Sequence, residues 1–144
     1  MNSRSVPAPT ITRGPSVQAP SNRAEATNSS DIMTFALVAA RTADDRKGED
    51  VVVLDVSQTL TVTDLFVIAS ASNTRLVATI ARDIEDAVKE AGGPAPVSVE
   101  GLNEANWVLM DYAGFIVHVF LDETRRYYDL ERLFADSTKI AWQR

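Results

Sequence analysis

Trp107 to Phe120 reads WVLMDYAGFIVHVF. Two apolar runs, WVLMDY and FIVHVF, flank Ala113-Gly114, and both are rich in aromatic and β-branched residues. Runs of this length and composition around a turn signal predict the two strands of a hairpin. With Ala113-Gly114 as a two-residue loop, the register follows. One side of the ribbon then pairs Tyr112 with Phe115, Met110 with Val117 and Val108 with Val119. The other pairs Asp111 with Ile116, Leu109 with His118 and Trp107 with Phe120. The first side is almost wholly apolar and is expected to be buried core. The second mixes aromatic bulk with a carboxylate and an imidazole, which suits a partner surface better than a dry interior. Ala113 is a poor residue for the positive φ of a type I′ turn. A type I turn with Gly114 in a bulge is the alternative, and it would swap the parity of one strand.

Upstream of the hairpin the chain alternates helical and strand-like patterns. Ile32, Phe35, Ala36, Ala39 and Ala40 recur at helical spacing, with Ser30 or Asp31 able to cap the start. Arg41 to Asp50 reads as a charged helix end and connector, with Gly48 as its stop. Val51–Val56 (VVVLDV) and Leu65–Ser70 (LFVIAS) are too short and too continuously apolar for ordinary helices and read as strands, the first of them central and covered on both faces. From Ser72 or Asn73 a second helix carries Leu76, Ile80, Ile84 and Val88 as an i+4 ladder, widened by Val77, and Gly92-Gly93-Pro94 ends it. Pro96–Glu100 is a short candidate strand. Beyond Phe120, Asp122 can cap a final helix, ETRRYYDLERLF, with Tyr127, Leu130, Leu133 and Phe134 on one side and Arg125, Asp129 and Arg132 mostly elsewhere. The order predicts a small α/β (α+β) domain, a mixed sheet of about five strands with helices packed on it.

That domain is expected to span 31–136, with 137–144 as a C-terminal tail. Residues 1–30 hold four of the six prolines and almost no large apolar side chains, so they are expected to be a disordered extension. The stretch reads as an extension, an added leader or an upstream start, since Met33 can open a compact chain by itself. Its Arg4, Arg13 and Arg23 offer at most a weak contact to an anion.

Composition limits the chemistry. The chain has 144 residues, 45% of them apolar, which is room for one ordinary domain and its core. Twenty acidic against 14 basic side chains give a net charge of −6, so no general attraction to nucleic acid is expected. No cysteine is present, which excludes disulfides, thiolate catalysis and cysteine metal sites. No run approaches the roughly 18 apolar residues of a membrane span, and no signal-peptide core is seen at the N-terminus, so a cytoplasmic setting is expected. His118 is the only histidine, which rules out a multi-histidine metal site. GxxxxGK[ST], GxGxxG and GxSxG are all absent. Asp55, Asp64 and Asp111 at sheet edges are the one set that could gather around a divalent metal, although turn and helix-end hydrogen bonding is the commoner use of such residues. Tyr127 and Tyr128 read as helix packing, because no basic groove accompanies them.

Several linked motifs carry a resemblance. TDLFVIAS followed by SNTR, then VEGLNEANWVLMDY, VHVF and ETRRYYDLERLF, is similar to the successive motifs of the ribosomal silencing factor family, RsfS, also called iojap. The similarity runs from about Phe35 to Phe134 in one order, which makes it specific. It implies a compact domain of nucleotidyltransferase-like topology, commonly a homodimer, with neither enzymatic activity nor a cofactor. It also implies a function: binding of large-subunit ribosomal protein L-fourteen at the subunit-joining face, so that the small subunit cannot associate and translation falls when nutrients run short. Trp107 matches the tryptophan that opens the family's WxxxD motif, a region implicated in that binding. The candidate contact set is therefore Trp107, Leu109, Asp111, Ile116, His118 and Phe120, with Tyr112 beside the turn, and Trp107 is expected to be partly exposed in the free chain. Ala113-Gly114 departs from the family, where Gly-Asp is more usual. The competing reading is a Mg-dependent nucleotidyltransferase-like enzyme using Asp55, Asp64 and Asp111. Against it, the Gly-Ser signature that precedes the paired aspartates of such enzymes is missing.

Overall fold

The computed structural model describes residues 29–144, so the disorder expected of the N-terminal extension lies outside the described residues. Helix α1 (Ser29–Asp45) opens the described chain and is followed by β1 (Glu49–Asp55) and β2 (Leu65–Ala71). Next come α2 (Thr74–Glu90), β3 (Ser98–Glu100), β4 (Trp107–Asp111) and β5 (Phe115–Leu121). Two short helices, α3 (Asp122–Tyr128) and α4 (Leu130–Leu133), and a final strand β6 (Thr138–Lys139) complete it. The six strands form one sheet in the order β3-β4-β5-β2-β1-β6, and only β2 and β5 run parallel. The expected mixed sheet with helices packed on it is what the chain forms.

The ladder pattern places α1 and α2 on one face. Val53, Val67, Val117, Val108 and Met110 point at Ala36, Ala39, Ala40, Val77, Ile80 and Ile84, and all of these are almost fully buried. Alanines along α1 let that helix lie close to the sheet. The α2 ladder is seated as expected, starting at Asn73, whose side chain accepts the Leu76 N–H at 2.8 Å.

The hairpin has the expected register: Trp107 opposes Phe120, Leu109 opposes His118 and Asp111 opposes Ile116. Its turn, however, puts the positive φ on Ala113 (73°) rather than on the glycine. The Gly114 N–H bonds the Tyr112 carbonyl at 2.9 Å across Ala113, and Asp111 Oδ1 accepts the Ala113 N–H at 2.8 Å. That is a γ-turn of the rare positive-φ kind, steadied by a side chain. Glycine occupies 114 for a different reason: a Cβ there would run into the side chain of Ile32 on α1.

Two elements differ from expectation. The single C-terminal helix is broken at Asp129, which adopts the left-handed conformation (φ 47°) and ends α3. Asp is one of the few non-glycine residues that tolerates it. The residues expected to form a tail instead pair with β1: Thr138 and Lys139 form the edge strand, and the Trp142 indole N–H bonds the Val51 carbonyl at 3.0 Å. This gives six strands rather than about five, and it places β1 between β2 and the short edge strand β6.

Candidate functional site: the aromatic face and its cover

On the face away from α1 and α2, the register lines side chains into rows across the strands. One row runs Asp111, Ile116, Phe66, Leu54, a second Leu109, His118, Ile68, Val52, and a third Trp107, Phe120, Ser70, Glu49. His118 thus stands in the middle row of a central strand, and it is fully buried. The Trp107 indole N–H donates to His118 Nδ1 at 3.1 Å, which leaves the imidazole proton on Nε2. Trp107 also lies against Phe120 and Tyr128, with ring centroids 4.7 and 4.8 Å apart, while His118 stands edge-on to Phe66 at 4.5 Å. Burial pushes the His118 pKa down to about 3, so the ring is neutral across the physiological range.

The seven candidate contact residues are therefore brought together in part and sealed. Trp107, Leu109, Asp111, Ile116, His118 and Phe120 share this face, but none exceeds 7% exposure. Tyr112 lies on the opposite, helix-covered side, stacked on Phe115 at 4.6 Å and 5% exposed. Its hydroxyl is buried without a hydrogen-bond partner, and burial raises its pKa. The expectation of a partly exposed Trp107 is corrected: an indole whose N–H is already satisfied within the chain packs as core. What seals the face is the cover made by α3 and α4. Tyr128 packs on Trp107, Leu130 is buried, and Phe134 meets Phe66 edge-on at 5.0 Å.

Arg125 holds the cover down, and sequence reasoning placed it on the polar side of its helix. It is 8% exposed and makes five hydrogen bonds. Two go to Glu131, which ties α3 to α4. One goes to Ser70 Oγ at 3.0 Å, and two reach the carbonyls of Glu49 and Asp50, at 3.2 and 2.7 Å. Those carbonyls face Arg125 at a bulge in β1, where the register shifts between Glu49 and Val52 and Asp50 takes a positive φ of 49°. No local sequence signal announces such a bulge. The cover also presents Tyr127, expected to pack, at 73% exposure, and Leu133 at 72%.

The three aspartates of the enzymatic alternative do not converge. Asp55 and Asp111 end β1 and β4, three strand spacings apart, roughly 14 Å at about 4.8 Å per spacing. Asp111 closes the hairpin turn. Asp55 accepts the Ser57 N–H and hydroxyl, at 3.0 and 2.6 Å, and these bonds hold its carboxyl below the usual range. Asp64 is exposed in the connection before β2. Among the described residues no group of three or more His, Cys, Asp or Glu side chains is arranged to hold a metal ion, and no helix is long and apolar enough to cross a membrane.

Residues 28–144 match the profile of the family described as ribosomal silencing factor during starvation, RsfS. The chain is 39% identical over 100 residues to the ribosomal silencing factor RsfS of Bacillus subtilis, covering 69% of this chain and 84% of the relative. A crystal structure of a Chromobacterium violaceum protein superposes with a TM-score of 0.69 at 33% identity, over 72% of this chain and 86% of that one. A second, from Bacillus halodurans, gives 0.65 at 30% identity, over 76% and 98%.

Proposed function

The chain belongs to the ribosomal silencing factor family, RsfS, and from that membership we propose that it binds the large ribosomal subunit through ribosomal protein L-fourteen and so keeps the small subunit from joining. A role in ribosome silencing follows from the family itself. What carries the finer reading is the extent of the match: residues 28–144 take in every described strand, both long helices and the α3–α4 cover. Such a factor works by occupancy. It needs a stable surface of the right shape and charge, and no turnover of a substrate. The relatives are named as regulatory factors, in keeping with a binding protein rather than an enzyme. In this reading the aromatic face serves from below: Trp107, Leu109, Asp111, Ile116, His118 and Phe120 form the floor on which the contact surface rests, and Tyr112 stacks on Phe115 across the hairpin turn. The cytoplasm is the compartment where such a factor acts, and homodimerisation, common in the family, is part of the same reading.

The test is sedimentation of the purified chain with isolated large subunits, isolated small subunits and joined ribosomes, together with light scattering of subunit joining. The expected result is co-sedimentation with large subunits alone and a dose-dependent loss of joining. Binding to small subunits, or joining unaffected at saturating protein, refutes the proposal.

A further inference from the structure

Among the described residues three large apolar side chains are exposed: Val97 at 56%, Tyr127 at 73% and Leu133 at 72%. Two of the three sit on the same cover, Tyr127 in α3 and Leu133 in α4. Their exposure is not loose packing. Tyr128, Leu130 and Phe134, interleaved with them in sequence, turn inward onto the aromatic face. Arg125 fixes both short helices to β1 and β2. Tyr127 is braced edge-on against Tyr128 at 5.0 Å. Apolar anchors held on a rigid base lose little conformational entropy on binding, which is the property of an interface hot spot.

The cover as a whole carries more acidic than basic side chains. Arg125 and Glu131 neutralise one another at 2.9 Å. That leaves Asp122, Glu123, Asp129 and Asp136 against Arg126 and Arg132 on the cover. Glu49 lies beside Asp122, whose negative charge holds the Glu49 carboxyl above its usual range. Resting on the reading of the chain as an RsfS protein, we infer that the α3–α4 cover is the docking surface and that its occupant is a basic protein surface of the large subunit with an apolar hollow. Tyr127 and Leu133 enter the hollow while lysines or arginines at its rim meet the carboxylates. Ribosomal RNA is the wrong occupant, because its phosphates would face these carboxylates at like charge.

The experiment uses the full chain and isolated large subunits. Affinity is measured for the wild type, for the double variant Tyr127→Ala/Leu133→Ser, for the charge variant Glu123→Lys/Asp136→Lys and for Val97→Ser, an exposed apolar control away from the cover. Because Tyr127 and Leu133 are exposed, the double variant should keep the wild-type unfolding midpoint yet bind at least tenfold more weakly. The charge variant should also weaken binding, and Val97→Ser should not. Three results overturn the inference while leaving the family function standing: undiminished binding by the double variant, conversion of a dimer to a monomer by that variant with subunit affinity retained, or equal affinity of the wild type for naked large-subunit RNA. Failure of the wild type to sediment with large subunits removes the RsfS reading itself, and the docking assignment with it.

Discussion

The buried imidazole makes a pH prediction that can be isolated cleanly, because His118 is the only histidine in the chain. In the unfolded chain it titrates near its ordinary value of about 6.5. In the fold, burial lowers that to about 3. Below pH 6.5 the unfolded state therefore binds a proton that the folded state refuses, and stability falls as pH falls, until the folded ring itself protonates. Each pH unit in this window costs about 1.4 kcal/mol, so between pH 7 and pH 5 the chain should lose roughly 2 kcal/mol from this residue alone. His118→Asn supplies an amide oxygen where Nδ1 accepts the Trp107 N–H, and it does not titrate. The variant starts less stable at pH 7 because it leaves a small void beneath Phe66, but its stability should then be nearly flat down to pH 5. Denaturant melts of both proteins at pH 7.5, 6.5, 5.5 and 5.0 give the two slopes, and carboxylate contributions cancel in their difference. Parallel slopes would falsify the claim that a neutral, sealed imidazole sits in the centre of the sheet.

Three further outcomes are expected. Trp107→Ala removes a core side chain and strands the His118 acceptor, so it should cost about 3–5 kcal/mol of folding stability in a denaturant melt; an unmoved midpoint means the indole is not packed as described. Ala113→Gly relieves a left-handed backbone at a residue with a Cβ and should raise stability by about 1 kcal/mol, less the extra freedom of the unfolded chain; a lower thermal midpoint would contradict the γ-turn. Arg125→Met leaves Glu131 and the carbonyls of Glu49 and Asp50 without their donor, and should destabilise by about 3 kcal/mol while increasing hydrogen exchange in 122–134 first; uniform exchange across the sheet would show that Arg125 is not what holds the cover.

The hairpin was legible because strand periodicity is two and a two-residue loop leaves little freedom of register. The α2 ladder was legible for the same kind of reason, with Asn73 and Gly92 marking its ends. Other features depend on distant partners. Why glycine stands at 114 although Ala113 takes the positive φ depends on Ile32, some eighty positions away in α1. The break at Asp129 spares Tyr127 and Leu133 from packing and turns Tyr128 inward, and no helical wheel drawn through the whole segment reproduces that division. β6 is two residues long and has no strand pattern of its own; it exists because β1 offers an edge and Trp142 finds the Val51 carbonyl.

The candidate contact residues lie one layer beneath the surface, and the cause is chemical. A carboxylate and an imidazole among aromatics suggest exposure when each polar group is counted separately, since an unpaired buried polar atom is costly. Here two of the polar groups find partners locally, while His118 Nε2 is buried without one. Trp107 donates to His118, and Asp111 takes the Ala113 N–H, so most of the polar content of the face is spent inside the chain before any partner arrives. A face whose polar groups are mostly used in this way can be roofed by apolar side chains, and Tyr128, Leu130 and Phe134 do so. The roof must then be fastened at its rim, and a bulge in β1 supplies carbonyls that only a long cationic donor can reach. Arg125 fits that need, with Glu131 countering its charge. The docking surface proposed above is the outside of that roof, where Tyr127 and Leu133 are exposed.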